Sequence, residues 1–244
     1  KAVMIRTLYY KTINILKENY EITSRPEQIQ KAKSALKDEL LHWEKKQIDT
    51  EINRHYAGFY LGLTTQTQAI FSNLSKNIDT LSINSKVETD LARDATKICF
   101  LIEDHPGIFS RLTGAIALSG ANVIDARTYT TSDGFATSVF WLQNKEGKPF
   151  EENRLNKLNQ TINEALKGQI IARDILKEKG KIKKKEKDFI VPTNITFDNE
   201  GSEIHTIIEI ETRDRLGLLY DLAKTLSNNY ISISSAIIAT FGEQ

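Results

Sequence analysis

The feature that most constrains this chain is a stretch that occurs twice at a fixed interval. The first copy covers residues 97–134 and the second covers residues 209–243, an offset of 110 residues. The copies align without a gap at the matched pairs Asp104/Asp214, Gly107/Gly217, Leu112/Leu222, Ala126/Ala236 and Thr130/Thr240. A repeat of this kind predicts two related structural units rather than one large domain.

Within each copy the hydrophobic pattern changes from the period of a strand to that of a helix and back. In the first copy, Ile98, Phe100 and Ile102 alternate, which predicts a strand with one buried face. Apolar residues then recur at helical spacing after a Pro-Gly break, and Gly120 is placed to end the helix. A second strand is predicted over residues 123–131, so the unit is strand, helix, strand.

The following residues complete one module and begin another. Alternation over 135–143 predicts a third strand, an apolar stripe over 155–166 predicts a second helix, and residues 189–197 predict a last strand. The order β-α-β-β-α-β predicts an α+β, ferredoxin-like module over 97–199. Residues 200–244 supply only the β-α-β half of a second such module.

The residues before the repeat are predicted to be helical up to position 76. The pattern is interrupted at Ser24-Arg25-Pro26, and an aromatic-rich helix over 55–63 and a short helix over 70–74 follow. The polar stretch 77–96 is predicted to be a linker.

Composition and charge indicate which partners and which cellular compartment the chain suits. The 244 residues carry 33 basic and 32 acidic side chains, a net charge of +1, so charge favours neither nucleic acid nor a membrane surface. The single Cys99 falls in a predicted strand and fits a small buried residue in a reducing cytosol. No run of about 18 apolar residues predicts a membrane span. The chain starts without Met and stops before a third strand of the second copy, so we expect a piece of a longer protein.

No catalytic constellation is present. The sequence has no Gly-x-x-x-x-Gly-Lys, no Gly-x-Ser-x-Gly and no His/Asp cluster with metal-ligand spacing. His42 and His55 lie on amphipathic helices, where such residues usually pack or face water. A lysine-rich run over 177–187 is a solvated loop or a phosphate-binding patch; the lack of interleaved aromatics favours the loop. No catalytic residue, metal or cofactor is therefore predicted within the chain.

The turn between the first strand and its helix offers a binding site instead. A helix start presents N–H groups and positive dipole charge, which suits a carboxylate. Gly107 would allow close approach to the main chain, Asp104 would hold an α-ammonium group and Asn122 would bond a side-chain amide. The same pattern is also typical of a plain helix cap and tight turn, and the residues leave both interpretations open. The candidate ligand-binding residues are Asp104, His105, Pro106, Gly107, Ile108, Asn122, Asp214, Leu216, Gly217 and Ser232.

The same residues resemble a known regulatory module. Asp104-His105-Pro106-Gly107-Ile108-Phe109-Ser110-Arg111-Leu112, with Gly120-Ala121-Asn122-Val123, is similar to the signature of the ACT domain, a small-molecule sensor that often binds amino acids. Two such modules, with Asp125-Ala126-Arg127, Thr130-Thr131-Ser132-Asp133-Gly134 and residues 237–243, resemble the C-terminal part of the bifunctional uridylyltransferase/uridylyl-removing enzymes. Leu8-Tyr9-Tyr10 is similar to the helix that follows the hydrolase domain of that family.

The resemblance implies a cytoplasmic, glutamine-sensing regulatory region. The whole enzyme would uridylylate the PII nitrogen signal protein when glutamine is scarce and remove the group when glutamine is plentiful. A nucleotidyltransferase domain using UTP and magnesium, and an HD-type hydrolase domain, would precede Lys1, and residues 1–76 would be the tail of the hydrolase domain. The alternatives are an ACT scaffold that self-associates through its sheet edges, or the amino-acid sensor of another enzyme. Leu216 in place of Pro106 makes the first copy the stronger site.

Overall fold

The computed structural model describes residues 24–76, 78, 83–167, 192–202, 205–215 and 217–239. Its helices are α1 (Arg25–Glu39), α2 (Lys45–Asn53), α3 (Ala57–Gly62), α4 (Thr65–Lys76), α5 (Ile108–Leu118), α6 (Glu152–Leu166) and α7 (Leu218–Asn228). Its strands are β1 (Asn84–Asp90), β2 (Ala95–Glu103), β3 (Asn122–Thr130), β4 (Phe135–Gln143), β5 (Asn194–Asp198), β6 (Ile207–Glu211) and β7 (Ser235–Ala239). The predicted α+β class, with helices before the sheet, is confirmed. The predicted helix before residue 24, the lysine-rich run, Leu216 and Thr240 lie outside the described residues.

Several element ends follow from local chemistry. Helix α1 begins after Ser24, whose amide donates to the Glu27 carboxylate at 2.7 Å, so the predicted break is a helix start. Helix α5 ends before Gly120, which has φ +75° and donates from its amide to the Ala117 carbonyl. The stop predicted at Gly120 is therefore present.

A five-stranded antiparallel sheet with the order β1-β2-β4-β3-β7 forms the centre of the fold. Strand β1 lies inside the stretch 77–96 that was predicted to be a linker, and it pairs with β2 from Asn84↔Leu101 to Asp90↔Ala95. Its composition resembled that of a linker because this edge strand is polar and none of its residues is fully buried.

The predicted last strand of the first module does not join this sheet. Strand β5, at 194–198, pairs with β6 in a separate hairpin, while residues 189–191 lie outside the described part. Strand β1 takes the edge beside β2 instead, because a short hairpin connection brings it there directly. Strands β1 and β5 begin 110 residues apart and each pairs with the next strand, so the repeat extends in the N-terminal direction to include a hairpin in each copy.

The sheet is buried on both faces, whereas one buried face was predicted for β2. Ile98 and Phe100 pack against the layer of α5 and α6, and Cys99 packs with the helical segment on the other side. Lys97 also points to that second side, where its Nζ lies 2.7 Å from Glu88 and 3.3 Å from the Thr67 hydroxyl. The helices before the repeat therefore form a third layer on the first module rather than a detached domain.

No helix in the described ranges is long and apolar enough to cross a bilayer.

Candidate functional site

The two strand-to-helix turns have the same backbone geometry. Gly107 and Gly217 are the N-cap residues of α5 and α7, with φ of +89° and +81°. The Ile108 amide donates to the His105 carbonyl at 3.0 Å, and the Leu218 amide donates equivalently to Arg215 at 3.0 Å. Only glycine adopts this left-handed conformation without strain, so the spacing Asp-x-x-Gly encodes the turn itself. We call residues 104–108 the first turn and residues 214–218 the second turn.

Asp104 does not cap the helix, because Gly107 occupies the N-cap position. Its carboxylate Oδ2 accepts a hydrogen bond from the Thr130 hydroxyl at 2.9 Å, and its amide donates to the Gly134 carbonyl at 2.8 Å. The half-buried Asp104 therefore connects the end of β2 to the end of β3 and to the turn that follows it.

The start of α5 retains part of the predicted anion-binding character. Arg111 is the first residue whose amide bonds within the helix, to the Gly107 carbonyl at 3.0 Å. The amides of Phe109 and Ser110 come before that bond, at the positive end of the helix dipole. The amide of Ile108 is already taken by the turn, so only part of the predicted set of donors remains.

The second copy packs against the first about a pseudo-twofold axis. Strand β7 pairs with β3, and Arg127 stands opposite Ile237, its own counterpart 110 residues later. Helix α7 lies beside α5. Because Arg127 and Ile237 are equivalent positions of the two copies and face each other in an antiparallel pair, the axis passes near this pair. Each copy therefore contributes the same strand and helix to the interface.

This packing brings the second copy onto the first turn. A Cβ atom at Gly107 would lie 3.1 Å from the Ser227 hydroxyl at the end of α7. The Thr130 amide donates to the Ser234 carbonyl at 3.3 Å. The first turn is therefore bordered by residues 227–234, and we call this arrangement the first notch.

The predicted site residues separate into two groups. Asn122 begins β3 and stands opposite Gln143, whereas Asp104 contacts Thr130 at the other end of that strand. Nine strand residues span about 26 Å, so Asn122 and Asp104 of one copy do not share a pocket. Ser232, the counterpart of Asn122, falls instead within the segment that borders the first notch. The pseudo-twofold axis places Asn122 on the side of the second turn.

The second turn differs in its charges. Partial desolvation raises the pKa of the Asp214 carboxyl above its ordinary value, opposed by a hydrogen bond from the Arg215 backbone. The Arg215 guanidinium, which precedes α7, donates at 2.5 Å to Asp221 near the start of that helix. The two turns thus share the conformation of the N-cap glycine and its neighbouring hydrogen bond, but the contacts of Asp104 and Asp214 differ.

A cluster of charged and polar side chains that was not predicted from the sequence lies close to the first notch. It consists of Glu51, Arg54, His55, Ser75 and Asp133 and is called the Arg54 cluster here. Arg54 donates from Nε and Nη2 to the two Asp133 oxygens at 3.2 and 2.8 Å, and from Nη1 to Glu51 at 3.1 Å. Glu51 is 3% exposed and also accepts from His55 at 3.0 Å and from Ser75 at 2.8 Å.

The surroundings of Glu51 and His55 determine their charge. Burial alone would raise the pKa of Glu51, but His55, Arg54 and the Ser75 hydroxyl together lower it to about 2. Burial lowers the pKa of His55, although Glu51 opposes that shift, and the ring stacks on Phe59 at 3.7 Å. His55 therefore packs, as predicted. The spacing Glu51-x-x-Arg54-His55, which brings the last turn of α2 and the residues just after it together, was the sequence signal for the cluster.

An open cleft of about 720 Å³ lies over this cluster, between α2 and the turn after β3. The residues around it are Lys45, Lys46, Asp49, Thr50, Asn53, Arg54, Ser132 and Asp133. It is separate from the predicted notch but borders the same turn, residues 131–134. In the part of the chain that the structure describes, no cluster of three His, Cys, Asp or Glu side chains is placed to hold a metal.

A protein-family model matches the second copy of the repeat, including its glycine turn. Residues 194–243, which begin at the first residue of β5, match the family model of the ACR9-like, ACT-like domain. The match therefore covers the hairpin, helix and strand of the second copy. No solved structure matches this chain significantly.

Curated relatives match the whole chain. A bifunctional uridylyltransferase/uridylyl-removing enzyme of Cereibacter sphaeroides is 49% identical over 244 residues, which is 100% of this chain and 26% of the relative. The enzymes of the same name from Ruegeria pomeroyi and Azospirillum brasilense are 48% and 34% identical, with 27% of each covered. The chain thus spans about a quarter of these relatives. The predicted relationship is confirmed: over its full length, this chain is related to a segment of the bifunctional uridylyltransferase/uridylyl-removing enzymes.

Proposed function

We propose that this chain is the glutamine-sensing regulatory region of a bifunctional enzyme that adds uridylyl groups to, and removes them from, the PII nitrogen signal protein. The observation that carries the proposal is the first notch, where residues 227–234 of one copy border the glycine turn of the other. A ligand bound there contacts both copies, and its occupancy therefore bears on how the copies pack.

The notch has the groups that a free amino acid requires. The positive end of α5, with the amides of Phe109 and Ser110, suits the α-carboxylate. The Asp104 carboxylate, now bonded to Thr130, suits the α-ammonium group, and Ser232 suits the side-chain amide of glutamine. His105, Pro106 and the rest of the first turn form the rim. The second turn, with Asp214 and Gly217, would form the related second site together with Asn122.

The remaining parts of the proposal concern the whole enzyme. Uridylyl transfer with magnesium and UTP, and hydrolytic removal, would take place in domains beyond this chain, in the cytoplasm. Glutamine would change the balance between these reactions by binding one conformation more tightly than the other. A coupling of about 1–3 kcal/mol, the usual scale of allosteric effects, would suffice.

Calorimetric titration of this chain with L-glutamine tests the proposal. The wild type is expected to release or absorb heat in a saturable manner, and Asp104→Ala and Gly107→Val to abolish it. Gly147→Val is the matched control, because Gly147 also has a left-handed φ, +72°, but no atom within 4 Å of an added Cβ. Thermal melting verifies that each variant is folded. Unchanged heats in both notch variants would overturn the assignment of the site.

A second candidate function, a self-association scaffold, is favoured by the surface of the second copy. Ile237 on β7 is 71% exposed, and the β5–β6 hairpin exposes Phe197 by 67%. The outer edge of β7 has no strand partner among the described residues. Sedimentation of the chain with and without glutamine separates the two functions: a constant dimer with no glutamine heat supports the scaffold alone.

A further inference from the structure

We infer that the turn between β3 and β4, residues 131–134, transmits the state of the first notch to the helical layer through the Arg54 cluster. This inference rests on the proposed function for its ligand and adds the route by which the ligand's effect would leave the ACT module. It is carried by an unbroken series of hydrogen bonds that runs from Asp104 to helices α2 and α4.

The first part of the route joins the notch to the turn. Asp104 forms a hydrogen bond at each end of the β3–β4 turn. Its carboxylate accepts from the Thr130 hydroxyl at 2.9 Å, and its amide donates to the Gly134 carbonyl at 2.8 Å. Thr131 closes the turn by donating from its amide to the Phe135 carbonyl at 2.8 Å. A ligand ammonium bound by the Asp104 carboxylate would share that acceptor with the Thr130 hydroxyl, which occupies Oδ2.

The second part joins the turn to the helices. The Ser132 amide donates to the Arg54 carbonyl at 2.8 Å, and Asp133 receives two bonds from the Arg54 guanidinium. The Arg54 side chain is 9% exposed while that of Asp133 is 52% exposed, so the contact reaches from the surface turn into the helical layer. A planar guanidinium that forms two parallel bonds to a carboxylate fixes orientation as well as distance.

The third part spreads the contact within the helical layer. Arg54 bonds Glu51 one turn earlier, and Glu51 also accepts from Ser75 at the end of α4. Displacement of the β3–β4 turn therefore acts on two helices through one buried carboxylate. Two other polar contacts between the layers do not involve the residues of the notch: Lys97 donates to the Thr67 hydroxyl near the opposite end of β2, and Arg127 donates to the Gly62 carbonyl from the middle of β3.

Amide hydrogen exchange on the 244-residue chain tests this route without requiring a ligand. Asp104→Ala is expected to speed exchange of the peptide covering residues 45–53 by about fivefold, the effect of a modest local destabilisation. In a chain that already carries Asp133→Ala, Asp104→Ala is expected to leave that peptide unchanged. In a chain that carries Glu88→Gln, the control, the fivefold effect is expected to persist.

Addition of L-glutamine distinguishes this inference from the proposed function. Slower exchange at residues 104–110 supports the binding site, and slower exchange at 45–53 in the wild type but not in Asp133→Ala supports the route. A response confined to 104–110 overturns the route alone. If glutamine has no effect on exchange anywhere, the proposed function fails, but the comparison of Asp104→Ala in the wild type and in Asp133→Ala still tests the route. An equal effect of Asp104→Ala in these two chains overturns the route.

Discussion

Replacement of Glu51 by glutamine removes the charge around which the Arg54 cluster is assembled. The pKa of Glu51 is lowered from 4.5 to about 2, and each unit of such a shift corresponds to about 1.4 kcal/mol. The ionised carboxylate therefore stabilises the folded chain by about 3 kcal/mol at neutral pH, and Glu51→Gln is expected to lower the free energy of unfolding by that amount. The loss of one partner from a buried ion pair has a similar scale.

The pH dependence has a definite sign. Because the folded pKa lies below the unfolded one, the unfolded chain binds more protons between about pH 2 and 4.5, and stability rises with pH in that window. The contribution of Glu51 is complete above about pH 5 and is expected to fall to about 1 kcal/mol at pH 3. His55 acts in the same direction, since its pKa is lowered and it must be protonated in the unfolded chain as the pH falls below 6.5.

Urea denaturation followed by tryptophan fluorescence measures the effect. Trp43 and Trp141, the only two tryptophans in the sequence, both lie in the core between the helical layer and the sheet. Asp49→Asn on the same helix is the control; its exposed pair with Lys37, at 3.7 Å, should contribute less than about 0.5 kcal/mol. A Glu51→Gln variant within about 1 kcal/mol of the wild type at pH 7, or a difference that stays constant down to pH 3, would refute the reasoning.

Three further predictions follow from the packing. Gly62→Ala should lower the free energy of unfolding by about 1–3 kcal/mol, because the new Cβ would lie 1.9 Å from the Tyr129 hydroxyl oxygen. The double variant with Tyr129→Phe should recover part of this loss. An equal loss from Gly62→Ala in the wild type and in Tyr129→Phe would disprove the clash. Cys99 should resist alkylation in the folded chain and react after unfolding, because burial raises the pKa of its thiol to about 12; rapid modification of the native chain would contradict this. Gly107→Ala should lower the melting temperature more than Gly147→Ala, since both are strained but only Gly107 has a neighbouring hydroxyl at 3.1 Å; equal shifts would show that this contact is unimportant.

The repeat and its glycine turn were predictable because both depend on local sequence. Gly107 and Gly217 each follow an aspartate by three residues and take the left-handed conformation that ends the loop and starts a helix. The helical and strand periods of α5, β3 and β4 were also predictable from their apolar residues, although burial extends around α5 and to both faces of β4. Helix and strand patterns of this strength need no tertiary information.

The rest of the architecture depends on tertiary packing that no local pattern contains. Strand β1 does not have the alternation of a half-buried strand, because it lies at the edge of the sheet and all of its residues, most of them polar, stay at least partly exposed. The second face of β2 was not expected to be buried, because Lys97 lies on it; its ion pair with Glu88 requires β1 to pair with β2, and its hydrogen bond to Thr67 requires the helices to dock.

The composition of the notch was predicted only in part. Asn122 was grouped with Asp104, yet β2 and β3 are both antiparallel to β4 and so run parallel to each other. The start of β3 must therefore lie at the opposite end of the sheet from the end of β2. The pairing of β3 with β7 instead brings the segment that contains Ser232, from the other copy, toward the first turn, and a local pattern does not contain that pairing.

The most direct measurement of the central claim is a titration of the isotope-labelled chain with L-glutamine, followed by two-dimensional amide NMR. Saturable shifts are expected at the amides of Gly107 to Ser110 and of residues 227–234 together, and these shifts should be lost in Asp104→Ala. Shifts on only one of these two segments, or no saturable shift at either, would contradict the claim that the two copies jointly form an amino-acid site.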